Sequence, residues 1–524
     1  MNKNLLAILS AIIFIHGVFG PGAGADEARR EAAQRQRRVI FNNDGDDAWQ
    51  AGAPATKEGL LSLRMDHIGD CGVDSMFYCT TMSLNSFTHD SQVSQVFTTN
   101  FNENRMAALI KAKTDPLRLA IDACRRRNIE IIWTLRMNDV HDLFVPEFLS
   151  QWKKDHPQFL MGTPEEAKGK DGRNPLHGWS WADFEHQEVR DIILVAVKDV
   201  LDRYDVDGID LDFLRHNCYF KETRRLEPVT AEHCEMLTDL VEKIRMEVLD
   251  ASRRKGKPIL LSARILQTLD LNRRFGLDVE EWAKRGYLDF ITAGGGYDPF
   301  TMPDDMIRRG HAWGMPVYWC VSGSAMLQEQ VEHTDLLPHN LAAWRATAAN
   351  GWHSGADGIM TFNLFPTLPG TPQTKIARTA WQEMGDSKGL VGKDKLYCIE
   401  HLHYDDYWYL FKSVRREGRL PVTIKREESA TRILPVADDI PGLADRIQKL
   451  RLRICLAGLE SGEKVNVKMN GTQLAATPEK SLWLAADVPP AAMKRGDNTL
   501  VVTFTSGKAE SLIMQSVELT VDYK

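Results

Sequence analysis

Three carboxylates stand inside a strand-like stretch, "YDVDGIDLDFLRH", at residues 204–216. Asp207, Asp210 and Asp212 are set among Gly208, Ile209, Leu211, Phe213 and Leu214, residue types that suit a sheet or barrel core. Charged groups are rare in such surroundings unless they are paired or working. At the edge of a core, carboxyl groups can serve as acid, base or nucleophile toward a bound substrate. Side chains alternate along a strand, so Asp210 and Asp212 face one side, with α-carbons about 6.5–7 Å apart. Asp212, nearer the strand's outer end, is the first candidate for chemistry. Asp210, one layer deeper, supports it through a hydrogen bond or by tuning its pKa. Asp207 opens the strand and reads as a turn or cap.

The surrounding elements say what holds this strand. From about 39 to 385, short apolar runs alternate with helical patterns. The runs are "RVIFNND", "VDSMFYCTT", "IEIIWTLRMND", "GIDLDF", "ILLSARIL", "LDFITAGG", "PVYWCVS" and "GIMTFNLF". Between them, stretches such as "HQEVRDIILVAVKDVLDRY" repeat apolar residues at three- and four-residue intervals, as a helix covering a sheet requires. The pattern predicts an α/β fold, a (β/α)8 TIM barrel, in preference to an open doubly wound sheet. "GGG" at 294–296 follows a strand, but no dinucleotide-binding unit surrounds it. Active sites of such barrels lie at the C-terminal strand ends, and polar residues collect there. Strand one ends in Asn43, Asp44, Asp46 and Asp47; strand three in Arg136, Asn138 and Asp139. Arg215 and His216 follow strand four, and Arg264 sits on strand five. Tyr297 and Asp298 follow strand six, Trp319 lies on strand seven, and Asn363 lies on strand eight.

Asp207, Gly208, Ile209, Asp212 and Arg215 fit D-G-I-x-x-D-x-x-R, and here the stretch resembles strand four of the family-10-like glycosyl hydrolases. His216 and Asn217 replace that group's usual aromatic and proline ending. "WTLRMN", with Asn138, resembles its third strand more loosely. Asp207, Gly208, Asp210 and Asp212 also match the D-G-x-D-x-D-x-E motif of family 18 chitinases. Their acid glutamate falls on Leu214, which cannot donate a proton. The first resemblance implies a barrel glycosidase, the second either another kind of hydrolase or a sugar-binding relative without catalysis.

Glycosidic cleavage uses two carboxyl groups, about 5–5.5 Å apart for retention and about 6.5–9.5 Å for inversion. Asp210 and Asp212 approach from one side, so the partner is expected from Asp298, Asp139 or Asp44, in that order. "NDGDD" at 43–47 also reads as a tight turn, with a calcium site as the weaker alternative. No cofactor or metal is required. Arg136 and Arg264 are costly in a barrel unless they pair with Asp210 or Asp212, or meet an acidic sugar. Trp179, Trp181, Tyr219, Phe220, Tyr297 and Phe300 are candidates to stack on sugar faces. The long segment 140–183 is expected to wall the site.

Residues 1–25 read as a cleaved signal peptide: Lys3, the apolar "LLAILSAIIFIHGVFG", then "AGA". The expected location is therefore secreted or periplasmic, with no stable membrane insertion. A net charge of −7 over 524 residues, without a strong basic tract, gives no sign of a nucleic-acid partner. The eight cysteines form no CxxC; Cys71–Cys79 and Cys218–Cys234 are candidate disulfides, and Cys79, Cys320 and Cys455 read as buried thiols. The segment "DEARREAAQRQRR" reads as a polar lead-in. Barrel residues are expected over 26–385 and a β-sandwich over 386–524, where period-2 strands and the Asn470-Gly471 hairpin signal begin. "VKMNGTQL…GDNTLVVTF" there loosely resembles galactose-binding-like jelly rolls. The whole reads as an exported glycoside hydrolase acting on a poly- or oligosaccharide, acidic ones included. The alternative is a non-catalytic carbohydrate-binding barrel. A metal-dependent hydrolase is disfavoured: strand one carries no HxH, the HxH at 401–403 lies beyond the barrel, and G-x-S-x-G is absent.

Overall fold

Parallel strands wrap into a closed barrel in sequence order. They are β1 (Val39–Asn43), β2 (Ser75–Cys79), β3 (Glu130–Arg136), β4 (Gly208–Asp212), β5 (Leu260–Ile265), β6 (Phe290–Ala293), β7 (Val317–Ser322) and β8 (Gly358–Phe362). A computed structural model of the chain describes residues 21–49, 52–99, 104–168, 178–225, 227–294, 302–322, 340–367, 370–399, 420–460, 462–479 and 482–524. Tyr297, Asp298, Phe300, the HxH at 401–403 and most of the signal segment lie outside them.

Alternation divides each strand between two cores. Ile40, Phe77, Ile132, Leu260, Phe290, Tyr318, Cys320, Met360 and Phe362 fill the barrel interior. Residues one position away, such as Val39, Tyr78, Trp133, Ile209 and Ile291, pack outward in the core beneath the helices. The long helices α2 (Gln187–Arg203) and α3 (Ala231–Lys255) flank β4 in sequence. Thr230 caps α3 by accepting from His233 N, and Gly256 ends it at φ +63°, the left-handed position glycine tolerates.

The polar lead-in is helical in its first part: α1 (Pro21–Ala33) begins within the last residues of the signal segment and runs into the lead-in. Its last residue, Ala33, joins the interior cluster, and Arg37 just beyond pairs with Glu130 at 2.6 Å with both side chains buried. The chain thus closes the N-terminal end of the barrel.

After α4 (Leu341–His353) and α5 (Pro372–Met384) come antiparallel strands: β9 (Lys395–Cys398), β10 (Val422–Lys425), β11 (Ser429–Val436), β12 (Ile447–Ala457), β13 (Lys464–Met469), β14 (Thr472–Leu474), β15 (Thr477–Pro478), β16 (Trp483–Asp487), β17 (Gly496–Ser506) and β18 (Ser511–Tyr523). One sheet runs β9-β18-β12-β16-β15 with β10 also on β18; the other runs β11-β17-β13-β14. Both contribute to one apolar core. Asn470 (φ +48°) and Gly471 (φ +84°) form the turn between β13 and β14, the geometry their types favour. β9 ties the halves together: Leu396 and Cys398 face the barrel core, Tyr397 and Ile399 the sandwich core. All eight cysteines are free thiols, so neither candidate disulfide forms.

Candidate active site

Asp210 and Asp212 both point into the barrel from β4, opposite Ser262 and Arg264 on β5. Arg264 grips Asp212 with Nε at 2.9 Å from Oδ1 and Nη2 at 2.6 Å from Oδ2. Such a forked contact is the strong form of a carboxylate pair. The Phe362 ring stacks against the guanidinium, its centroid 4.4 Å from Cζ. One layer down, Asp210 is fully buried and accepts from Ser262 Oγ at 2.8 Å, with Thr134 opposite it on β3. Burial, helped by the Asp212 carboxylate, pushes the Asp210 pKa up to about 7. The strand therefore carries a clamped carboxylate above a carboxyl group that stays protonated up to neutral pH.

The chain leaves the strand directly after Asp212. Oδ1 of Asp212 accepts from Leu214 N at 3.1 Å and Arg215 N at 3.0 Å, folding a turn that ends in His216 at φ +59°. Leu214 consequently packs in the outer core, away from the barrel axis. At the strand's other end Asp207 accepts from Ile131 N at 3.0 Å and pairs with Arg125, a structural role.

A second carboxylate group surrounds Arg136. Its Nη2 lies 2.9 Å from Asp44 Oδ1 and its Nη1 3.2 Å from Asp139 Oδ2. Burial would raise the Asp44 pKa, but Arg136, Arg215 and Arg64 outweigh it and hold it at about 2. Asp139, fully buried, also contacts His141 Nδ1 at 2.8 Å. Despite its burial, the His141, Arg136 and His216 contacts keep its carboxyl well below the usual range. Arg215 Nη2 lies 2.7 Å from His141 Nε2. A guanidinium only donates, so Nε2 accepts and Nδ1 carries the proton given to Asp139. Burial lowers the His141 pKa, Asp139 opposes it, and Arg215 lowers it again.

Metal binding can be tested on this cluster. Among the described residues, Asp139, His141 and His216 each bring a ligand atom to within 4.8 Å of the others. Both nitrogens of His141 are already engaged, His216 Nδ1 lies 3.3 Å from Val140 N, and two guanidinium groups adjoin the cluster. A divalent cation would have to displace Arg215, so the fit is poor. In the 43–47 turn, Asp46 pairs with Arg64, and Asp47 contacts Asn43 and Tyr78; these partners leave no calcium-like oxygen cage.

Several candidate residues are held by other partners or turned away from the barrel interior. Asn138 is fully buried: its side chain holds Ala182 N and O at 3.1 and 2.9 Å and Cys218 O at 2.6 Å, pinning the 140–183 segment rather than facing a ligand. Trp319 points outward beneath α4, because Tyr318 and Cys320 take the inward positions of β7. Trp181, Tyr219 and Phe220 are buried, and Trp179 packs against the outer core, so none of the first three offers a free ring face. Asn363 does stand at the rim, half-buried at φ +56°. Ser262, Arg64 and His141 were missed. Ser262 had a signal, lying two positions before Arg264 and so on the same inward face.

Residues 90–231 match the model of the glycosyl hydrolase-like 10 family. No curated protein sequence matches the chain. Among solved structures, α-L-fucosidase isoenzyme 2 from Paenibacillus thiaminolyticus is similar at 13% identity and TM-score 0.42, over 67% of this chain and 48% of that one. The PgaB (BpsB) glycoside hydrolase domain from Bordetella bronchiseptica matches at 11% identity and TM-score 0.41, over 63% and 94%. The α-amylase from Geobacillus thermoleovorans matches at 10% identity and TM-score 0.38, over 90% and 99%. This chain spans about half the length of the fucosidase. The family match covers β3, β4 and their connections, the segment carrying the strand-four motif. Over residues 90–231, then, the chain is similar in sequence to the glycosyl hydrolase-like 10 family, and that segment lies on a (β/α)8 barrel.

Proposed function

We propose that the chain is an exported glycoside hydrolase, cleaving a poly- or oligosaccharide at the C-terminal rim of its barrel. One observation carries the reading: β4 sets a carboxylate clamped by Arg264 directly above a carboxyl group whose pKa is raised to about 7. Neighbouring carboxyl groups in such unlike environments suit carboxyl chemistry at this strand end, with the acid for the leaving oxygen coming from another strand. The glycosyl hydrolase-like match over the same segment supports it.

In this reading Asp212 faces the positive charge that develops on the anomeric carbon, and Arg264 fixes its orientation. Asp210 holds a proton behind it. The leaving oxygen needs an acid, and neither Asp139 nor Asp44 suits that role, since basic neighbours keep both carboxyls below their usual range. Asp298, in the segment after β6, is the second carboxyl group assigned here, by its place in the chain alone. Arg215, His216 and Asn363 would meet the sugar at the rim. Arg136 and Arg264 each have carboxylate partners, so a neutral saccharide is the first substrate to try and an acidic one the alternative. Export rests on the pattern of residues 1–25; among the described residues no helix is long and apolar enough to cross a membrane.

The second reading, a sugar-binding barrel without turnover, is favoured by one observation: Asp44, Asp139 and Asp212 all have basic partners. A panel of neutral and acidic polysaccharides separates the two. New reducing ends support the hydrolase, and binding without them supports the binding barrel.

A further inference from the structure

Where barrel and sandwich meet, α4 and the turn after α5 face the loop after β11 across a cavity of about 260 Å³. α4 ends at His353, shortly before β8 begins at Gly358, so the cavity lies toward the N-terminal end of the barrel. Asp212 is at the other end.

Trp352, His353, Asp438, Asp439 and Arg495 line the cavity, and most are fixed in place. Trp352 Nε1 donates to Met384 O at 2.7 Å, and Arg495 Nε to Ala437 O at 2.9 Å. Asp438, only 6% exposed, accepts from the Tyr523 hydroxyl at 2.6 Å and pairs with Lys395 at 3.0 Å. Gly442 N holds Asp439 Oδ1 at 3.1 Å. The space falls just below the ~300 Å³ at which small-molecule pockets begin, enough for one ring. An indole beside fixed groups of both signs suits a neutral ligand with several hydroxyls. Carboxylates accept from hydroxyls, the guanidinium donates to them, and the indole covers a C–H face. An anion would meet Asp439, a cation Arg495, and an apolar ligand would cover both without a polar contact.

We infer that this seam is a second saccharide site, seating one neutral sugar unit remote from the catalytic rim. Naming a sugar rather than another polyol rests on the glycosidase reading above. For a polymer, a second anchor would raise the local concentration of chain at the rim without adding a contact there.

Hydrogen–deuterium exchange on the full chain tests it, with methyl glucoside, methyl galactoside, N-acetylglucosamine and glucuronate as probes at millimolar concentration. At least one neutral sugar should slow exchange severalfold over 437–443. Arg495→Ala, an exposed position, should abolish that slowing, and Asp212→Asn should keep it. No slowing by any neutral sugar, slowing unchanged in Arg495→Ala, or slowing by glucuronate alone overturns the inference. Reducing-end assays of the same protein on the polysaccharide panel report on the rim separately: protection by a monosaccharide with no polysaccharide hydrolysed would sink the glycosidase reading and leave the seam site standing.

Discussion

Arg264 and Asp212 grip each other across adjacent strands through two hydrogen bonds, at 2.9 and 2.6 Å, with the side chains 1% and 2% exposed. Removing one member of such a pair strands a buried charge, which costs on the order of 3–5 kcal/mol. Arg264→Leu should lose that much in chemical denaturation. Adding Asp212→Leu should recover only part of it: the stranded charge is gone, but Leu214 N and Arg215 N lose their acceptor. A single-variant loss below about 1 kcal/mol would show that the pair is not the closed contact described here.

Asp210 predicts a pH dependence of stability with a defined sign. Its folded pKa, about 7, lies above the ordinary 3.8, so between those values the folded state binds more protons than the unfolded state. Stability contributed by this residue therefore falls as pH rises through that window and levels off above it. The full loss is on the order of 4 kcal/mol. Asp210→Asn should flatten this part of the curve, gaining on the wild type at pH 8 relative to pH 5. Parallel wild-type and variant curves would remove the burial argument.

The Asn138 amide is a clasp. It joins the end of β3 to Ala182 and Cys218 through three hydrogen bonds of 2.6–3.1 Å. Asn138→Ala leaves those buried backbone groups unpaired, at about 1–3 kcal/mol. Limited proteolysis should then cut faster within 140–183. An unchanged cleavage rate would return Asn138 to the list of ligand contacts.

Chelation should do nothing. With His141 engaged by Asp139 and Arg215, EDTA is expected to leave folding and any hydrolytic activity unchanged, and dialysed protein should retain less than stoichiometric zinc. Activity lost to EDTA and restored by one metal would reassign Asp139, His141 and His216 as ligands.

The barrel was legible because eight apolar runs, spaced by helical patterns, allow little else. The same two-residue period put Asp210 and Asp212 on one face and would have turned Trp319 outward, had it been applied from Tyr318 and Cys320. What period cannot give is which loop side chains turn in. Trp181, Tyr219 and Phe220 have the residue types of a sugar platform, yet they are buried, because the segment Asn138 pins is itself packed. Nor does α1 announce itself: its charges obscure the short apolar edge that closes the barrel floor. Pairing partners such as Arg64 for Asp46 and His141 for Asp139 are set by the turn geometry at the rim, which no spacing rule encodes.

The central claim is that Asp212 does chemistry on a glycosidic bond. It is tested most directly by new reducing ends from the polysaccharide panel, using the secreted form beginning near Asp26 and its Asp212→Asn variant. The replacement keeps the side-chain shape, so circular dichroism can verify that both are folded. Release by the wild type with a loss of at least a hundredfold in the folded variant is the predicted result. Equal release by the two would contradict the account.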